Sequence, residues 1–240
     1  MRAAVEKELG EPIERIAPAF PRLAPNNVLD LRDAFSHAGL SSTKTNSRSP
    51  QYEENYAAYA ALGRGLCDAS MDYTSCQTYT RTLKYETVLY FSFDNSSFSV
   101  GAMTMNSPFE ESLSLSYGAD MQLGWWNLPV FEVPRAKFWA SIHEMIAAAV
   151  RNIQRPWSRI ILLGEHGADE EFKEVVKAAV WNEMELDVEL MLELVSKDDV
   201  AHLAARGAAE MGFRDEVWSR QAEAARQEQD EFASVEHGRL

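Results

Sequence analysis

Cysteines and basic residues are scarce in this chain, which has 2 cysteines and 23 Lys and Arg among 240 residues. Cys67 and Cys76 cannot form a disulfide framework; one local bridge is possible, and reduced thiols are predicted. Asp and Glu number 37, which gives a net charge of −14. Because an acidic chain repels phosphate backbones and anionic membranes, and no basic stripe offsets the charge, we expect neither a nucleic-acid nor a membrane partner.

Long apolar runs are also missing. The first eight residues contain no apolar signal core, and the most apolar stretch, 138–150, includes His143 and Glu144 and is too short to span a bilayer. The sequence therefore predicts a soluble, cytoplasmic protein. Hydrophobic residues still make up 46% of the chain, which is enough for a full core.

Short catalytic motifs are absent as well. His143-Glu144 resembles the start of a zinc-protease helix, but position 147 is alanine, so the second ligand is missing. The other histidines have no ligand spacing, and the sequence has neither a Walker loop nor a nucleophile elbow. We therefore predict no metal site and no catalytic residue.

Hydrophobic patterns indicate an α/β fold. Two strand-like runs, 87–93 and 98–103, flank the polar tetrapeptide Asp94-Asn95-Ser96-Ser97, which predicts a β-hairpin. An amphipathic helix over 138–153 is followed by a buried strand, Arg159 to Leu163, that ends on Gly164. Asp169 then caps a further helix.

Other segments are less regular. Residues 67–82 are polar and predict a connection, and 106–134 predict a loop-rich stretch. Adjacent Trp125 and Trp126 should face different directions, either as core and lid residues or with one of them exposed at a partner surface. The acidic stretch 185–190 fits either a strand or a helix. From Asp215 onward the composition predicts a solvated helix.

Taken in order, these elements resemble the nucleotide-binding domain of the seventy-kilodalton heat-shock chaperones, in the actin-like ATPase superfamily. The family's strand and D-L-G-G-G-T-F-D phosphate turn align with 88–100, and its adenosine loop, G-G-S-T-R, aligns with 164–168. Its closing A-Y-G-A-A aligns with 205–209, which contains Gly207, and its N-E-P-T-A-A-A helix with 54–59. The resemblance covers about residues 5 to 213.

The resemblance implies a partial actin-like ATPase, or ribonuclease-H-like, fold: a mixed sheet flanked by helices, with Tyr90 and Leu162 on neighbouring strands. It divides the chain into a remnant of the first lobe (1–66), a connection (67–86), a second-lobe core (87–213) with a reduced insertion (106–134), and a charged helical tail (214–240). The residues that would contact a nucleotide are Asp94, Asn95, Ser96, Ser97, Gly164, Glu165 and Gly207.

Departures from the family argue against nucleotide chemistry. The glycines of the phosphate turn are replaced by Asp94, Asn95 and Ser96, and the metal-associated aspartate is Ser92. A phosphate cradle needs glycines because backbone N–H groups must approach the anion. Each candidate position also has a structural explanation that needs no ligand: a polar hairpin turn at 94–97, a strand-end glycine at 164 and close helix packing at Gly207. An N-glycosylation sequon also begins at Asn95.

Three functional hypotheses follow. The first is a degenerate fold of this superfamily that has lost nucleotide hydrolysis, holds no cofactor and acts through contacts with a protein partner or with itself. The second is an ATP-binding chaperone-type ATPase, using ATP and Mg²⁺, whose phosphate loop is supplied in trans or lost from an incomplete gene model. The third is an unrelated α/β interaction domain.

Overall fold

The chain contains both helices and strands, and between residues 86 and 184 a hairpin, a helix, a buried strand and a further helix follow in the predicted order, with one additional strand after the hairpin. The computed structural model describes residues 2–20, 28–44, 51–110, 112–151, 156–185 and 197–237, with residues 153, 188, 191 and 192. The elements are α1 (Arg2–Leu9), β1 (Arg15–Ile16), β2 (Ala19–Phe20), α2 (Val28–His37), β3 (Ser41–Ser42), β4 (Tyr52–Glu53), α3 (Glu54–Ala61), α4 (Tyr73–Thr80), β5 (Glu86–Phe93), β6 (Phe98–Met105), β7 (Leu113–Asp120), α5 (Glu132–Val150), β8 (Arg159–Leu163), α6 (Glu170–Met184), α7 (Lys197–Val200) and α8 (Leu203–His237).

The central element is a mixed four-stranded sheet in the order β7-β6-β5-β8. The predicted hairpin is confirmed: β5 and β6 pair antiparallel from Glu86↔Met105 to Phe93↔Phe98. Strand β8 pairs parallel with β5, and Tyr90 lies opposite Ile161, next to Leu162. The prediction that Tyr90 and Leu162 lie on neighbouring strands is therefore confirmed.

Strand β7 occupies a region for which the sequence predicts loops, so that part of the prediction for 106–134 is wrong. It pairs antiparallel with β6 and forms the edge of the sheet. Its residues Leu113-Ser-Leu-Ser-Tyr alternate, but most of them remain half-buried or exposed because only one neighbour covers an edge strand. The alternation of leucine and serine is itself a strand signal, which the prediction of a loop-rich stretch does not use.

Both faces of the sheet are covered by helices, which makes three layers. Successive side chains of a strand point to opposite faces. Leu89, Phe91 and Phe93 pack against the layer formed by α5 and α6. Val88 and Tyr90 pack on the other face with Ala58 of α3 and Leu203 of α8. The central strands are therefore buried on both sides, although the sequence of β6 alternates.

Helices α3 and α8 pack closely because both carry small residues at their contact. Ala57, Ala58 and Ala60 of α3 are buried, and Gly207 of α8 lies against the backbone of Ala57. A Cβ atom on Gly207 would lie 1.5 Å from the Ala57 carbonyl oxygen. The close-packing interpretation of Gly207 therefore has a direct structural reason.

The predicted tail differs from the structure at its beginning. Helix α8 is continuous through residues 213 and 214, and Arg214 and Trp218 are buried. Arg214 Nη1 donates to the Cys67 carbonyl oxygen at 2.8 Å. The first turns after 214 therefore belong to the packed part of the protein rather than to a solvated helix.

Cys67 and Cys76 form a disulfide bond, so the prediction of reduced thiols is wrong and the local bridge is the arrangement present. The disulfide is buried against Trp218 and joins the loop after α3 to helix α4, which lies inside the predicted connection. Disulfides persist mainly in oxidising compartments, so this bond argues against the predicted cytoplasmic location. Among the residues described, no helix has the length and apolar character that crossing a membrane requires.

The stretch 185–190, predicted as strand or helix, lies mostly outside the described residues. Glu185 ends α6 in a left-handed conformation. Just beyond the stretch, Leu192 forms a parallel bridge with Ile160 on the free side of β8. The chain therefore returns to the sheet immediately after this segment.

Candidate functional site

The two turns that the resemblance assigns to nucleotide binding meet at one edge of the sheet. Strands β5 and β8 are parallel neighbours, so their carboxyl ends lie side by side. The His166 N–H donates to the Phe93 carbonyl oxygen at 3.0 Å. The structure thus brings Asp94, Asn95 and Glu165 together, while Gly207 packs against α3 instead.

Gly164 makes the close approach of these turns possible. Its φ is +86°, a conformation that residues with a Cβ rarely adopt. A Cβ there would lie 2.5 Å from the Phe93 carbonyl oxygen and 2.7 Å from Asp94 Oδ1. The strand-end interpretation of this glycine is therefore sufficient to explain it, because the space over Gly164 is filled by the hairpin turn.

The backbone of the hairpin turn is covered by the two 3-10 turns, Met121–Leu123 and Trp125–Asn127. Trp125 N–H donates to the Asp94 carbonyl oxygen at 2.9 Å, and Trp126 N–H donates to that of Asn95 at 3.0 Å. A Cβ on Gly124 would lie 2.3 Å from the carbonyl carbon of Ser96. Ser97 is buried, and its carbonyl oxygen accepts from the Asp94 N–H.

Four side chains, which we name the turn cluster, close the space between the two turns: Asn95, Trp125, Glu165 and His166. The Asn95 amide donates to the Glu165 carboxylate. Asn95 Oδ1 lies 3.0 Å from His166 Nε2, and since a carbonyl oxygen only accepts, Nε2 carries the hydrogen. The His166 ring stacks on Trp125 with centroids 4.0 Å apart and planes 5° apart.

Below the turn cluster, Ser92 lies between two carboxyl groups. Its Oγ is 3.0 Å from Asp94 Oδ2 and 3.2 Å from Glu54 Oε1. Burial raises the pKa of Glu54 to about 7, and the charge of Asp94 adds to the shift. The pKa of Asp94 is also raised, mainly by burial, and the charge of Glu165 raises it further.

The geometry and these shifts limit the proton arrangements around Ser92. The Ser92 hydroxyl has one hydrogen and faces both carboxyl groups, so it donates either to Glu54 Oε1 or to Asp94 Oδ2. When Glu54 is protonated, its carboxyl donates to Ser92 Oγ and the Ser92 hydroxyl donates to the Asp94 carboxylate. In the protonated form, Glu54, Ser92 and Asp94 are linked by two hydrogen bonds and carry a single negative charge. Glu54 is therefore a group that gains or loses a proton near neutral pH. Within the part of the chain that the structure describes, no group of three or more His, Cys, Asp or Glu is placed to hold a metal ion.

Sequence reasoning missed Glu54, Gly124 and the role of His166. Glu54 begins α3 and is 38 positions from Ser92, and no local spacing links the two. The aromatic stacking partner of His166 is likewise set by the tertiary fold. Trp125 and Trp126 do face different directions, as predicted: Trp125 packs on the core and Trp126 is 75% exposed.

The N-terminus of α6 provides no free anion site at this edge. The Asp169 side chain accepts from Phe172 N–H at 3.0 Å, which confirms the predicted cap. Glu170 and Glu171 occupy the first turn. Because carboxylates already stand at the positive end of the helix dipole, an added phosphate would be repelled there.

Comparison with known proteins gives no family assignment: the chain matches no protein-family model and no curated protein sequence. Membership in the actin-like ATPase superfamily therefore stays a prediction from the resemblance.

Proposed function

We propose that this protein is a partial actin-like ATPase fold that does not turn over nucleotide and acts through protein contacts. Its sheet supports the proposal, since hairpin, helix, parallel strand and helix follow one another in the order on which the resemblance rests. The function is then that of a scaffold. The polar groups at the carboxyl ends of β5 and β8, where the resemblance places the nucleotide, bond to one another instead.

The observation that carries the proposal is the occupation of the phosphate turn by the protein's own groups. The hairpin turn lies directly against the backbone of Gly164 and Gly124, and the turn cluster closes the space between the two turns, so little room is left there for a phosphate chain. Asp94 and Glu165 add negative charge. Like charges 4 Å apart repel by about 1 kcal/mol in water and by about 4 kcal/mol near a protein surface. Both the occupied space and the negative charge therefore oppose the binding of a triphosphate at this turn.

An exposed apolar segment adjoins this turn and supplies a contact surface. We name residues 121–133 the exposed segment; Trp126 is 75% exposed, Val130 91% and Phe131 79%. Clustered exposed apolar side chains mark interaction sites. Asp120 precedes the segment, Glu132 lies within it, and Arg135 follows it and donates to the Pro129 carbonyl oxygen at 3.2 Å. The chain as a whole carries a net charge of −14. This charge opposes a second copy and favours a protein partner with apolar and basic side chains.

The first test is thermal unfolding with and without Mg-ATP. We expect no change in melting temperature at millimolar Mg-ATP beyond that caused by magnesium tripolyphosphate, which reproduces the charge but lacks adenosine. A ligand at a hundred times its dissociation constant stabilises by about 2.7 kcal/mol, which is a shift of several degrees. An ATP-specific shift would contradict the proposal and favour an ATP-binding protein.

The second test addresses the contact surface. A synthetic amphipathic helix of Lys and Leu should bind at least tenfold more tightly than the matched Glu and Leu peptide, measured by fluorescence anisotropy. The double variant Trp126→Ser, Phe131→Ser should weaken this binding about tenfold, or about 1.4 kcal/mol, because it removes apolar contact without changing charge.

Trp181→Ser is the matched control, since Trp181 is 55% exposed on α6 and lies outside the exposed segment. It should leave peptide affinity unchanged. An equal loss in both variants, or no loss in the double variant, would show that the peptide binds by general charge and that the exposed segment is not the surface.

A further inference from the structure

A cavity of about 630 Å³ lies away from the turn cluster, where α8 passes the start of α3 and the loop after β6. This volume is in the range of small-molecule sites. Its walls are unusually aromatic, and the rings come from five separate positions: Tyr52, Tyr56, Tyr73, Phe109 and Trp218.

Several contacts hold this aromatic wall in place. The Trp218 indole N–H donates to the Met71 carbonyl oxygen at 2.9 Å. Phe109 and Tyr73 meet the Trp218 ring edge-on, with centroids 4.8 Å and 5.4 Å away. The Cys67–Cys76 disulfide packs behind Trp218. The wall is therefore a built surface rather than a chance grouping of mobile side chains.

The charges that line the cavity are mainly negative. Glu53, Glu110 and Asp215 contribute carboxylates, and Lys44 contributes an ammonium group. The Tyr52 hydroxyl donates to Asp215 Oδ2 at 2.6 Å, and Arg81 lies 3.9 Å from Glu110. The pKa of Asp215 is raised by burial, and the Tyr52 hydrogen bond and the Lys44 charge offset only part of this shift.

One cation of the protein, the Lys44 ammonium group, already contacts the aromatic wall. The Lys44 ammonium lies 5.0 Å from the centroid of the Tyr52 ring, inside the distance at which a cation is attracted to an aromatic face. It also donates to the Gln51 carbonyl oxygen at 2.9 Å. Burial lowers the pKa of Lys44, and the charges of Asp215 and Glu53 act in the opposite direction. The protein's own side chain thus shows that an ammonium group fits between this ring and these carboxylates.

We infer that this cavity binds an organic ammonium ion, such as a quaternary or alkylated amine. Aromatic faces attract cations and cover apolar substituents, while the carboxylates supply the opposite charge. Phosphates and carboxylic acids are repelled by the same carboxylates. A hydrated metal ion is disfavoured because aromatic walls offer it few oxygen ligands.

The test compares choline with 3,3-dimethyl-1-butanol, its uncharged carbon analogue of the same shape, by ligand-observed NMR titration. Choline should bind at least tenfold more tightly, because only the cation is attracted by the rings and carboxylates. Equal affinities, or no choline binding by either wild type or Lys44→Met, would overturn the inference.

Two variants locate the binding. Lys44→Met should raise the affinity for choline severalfold, because it removes the internal ammonium that competes for the Tyr52 ring. Trp218→Leu should lower it about tenfold. Lys84→Met removes an exposed lysine elsewhere and should have no effect. If Trp218→Leu fails to fold, Lys44→Met still decides the matter, since a gain cannot arise from unfolding; an unchanged or weaker affinity would contradict the site.

Discussion

Gly207→Ala should lower the free energy of unfolding by about 3 kcal/mol or more, measured by urea denaturation followed by circular dichroism. The new Cβ would lie 1.5 Å from the Ala57 carbonyl oxygen, 2.4 Å from its carbonyl carbon and 3.0 Å from the Ala61 nitrogen. Backbone atoms cannot rotate away as side chains can, so α3 and α8 must separate. The roughly 1 kcal/mol by which alanine favours a helix over glycine does not offset this loss.

Ala209→Val is the matched control. Residue 209 is exposed on the same helix two positions further on, so added bulk there meets solvent and should cost only the roughly 0.6 kcal/mol by which alanine favours a helix over β-branched valine. A Gly207→Ala variant as stable as the wild type would show that α3 and α8 do not pack as described. It would also reopen the ligand-contact interpretation of Gly207 that the resemblance suggests.

Glu54→Gln should stabilise the protein above neutral pH. The pKa of Glu54 is raised from its ordinary 4.5 to about 7, so between these values the folded state holds a proton that the unfolded state has released. The free energy of unfolding of the wild type therefore falls as pH rises through this window and levels off above it. Glutamine stays neutral, so at pH 8 the variant should be more stable by about 2 to 3 kcal/mol.

At pH 4.5 and below, wild type and Glu54→Gln should converge, since both then carry a neutral group next to Ser92. Glu223→Gln, on the exposed part of α8, is the control and should run parallel to the wild type at every pH. The measurement is a series of urea unfolding curves across the pH range. Curves for Glu54→Gln that stay parallel to the wild type would show that Glu54 is not the group that loses a proton in this window.

The hairpin turn and the turn after β8 are joined by contacts between their own side chains and backbone. Asp94 bonds to Ser92 and to the Glu165 N–H, and the Glu165 carboxylate accepts from the Asn95 amide. These contacts link the carboxyl ends of β5 and β8. The proposal that the protein does not turn over nucleotide rests on the same residues.

The sequence by itself determined the elements whose signals are local. The hairpin over 87–103 follows from two apolar runs around a polar tetrapeptide, the buried strand 159–163 from its apolar run and terminal Gly164, and the start of α6 from Asp169. In each case the residues that decide the structure are within a few positions of one another. Short-range hydrogen bonding and burial are sufficient there.

Tertiary structure alone decided the features that depend on distant residues. Strand β7 carries a local alternation of leucine and serine, but its place at the edge of the sheet is set by its pairing with β6. Glu54 meets Ser92 across 38 positions, and Trp218, from the far end of the chain, packs over the Cys67–Cys76 disulfide. A site built by such contacts leaves no periodic or spaced signal, because its members share a place in the fold and not a place in the sequence.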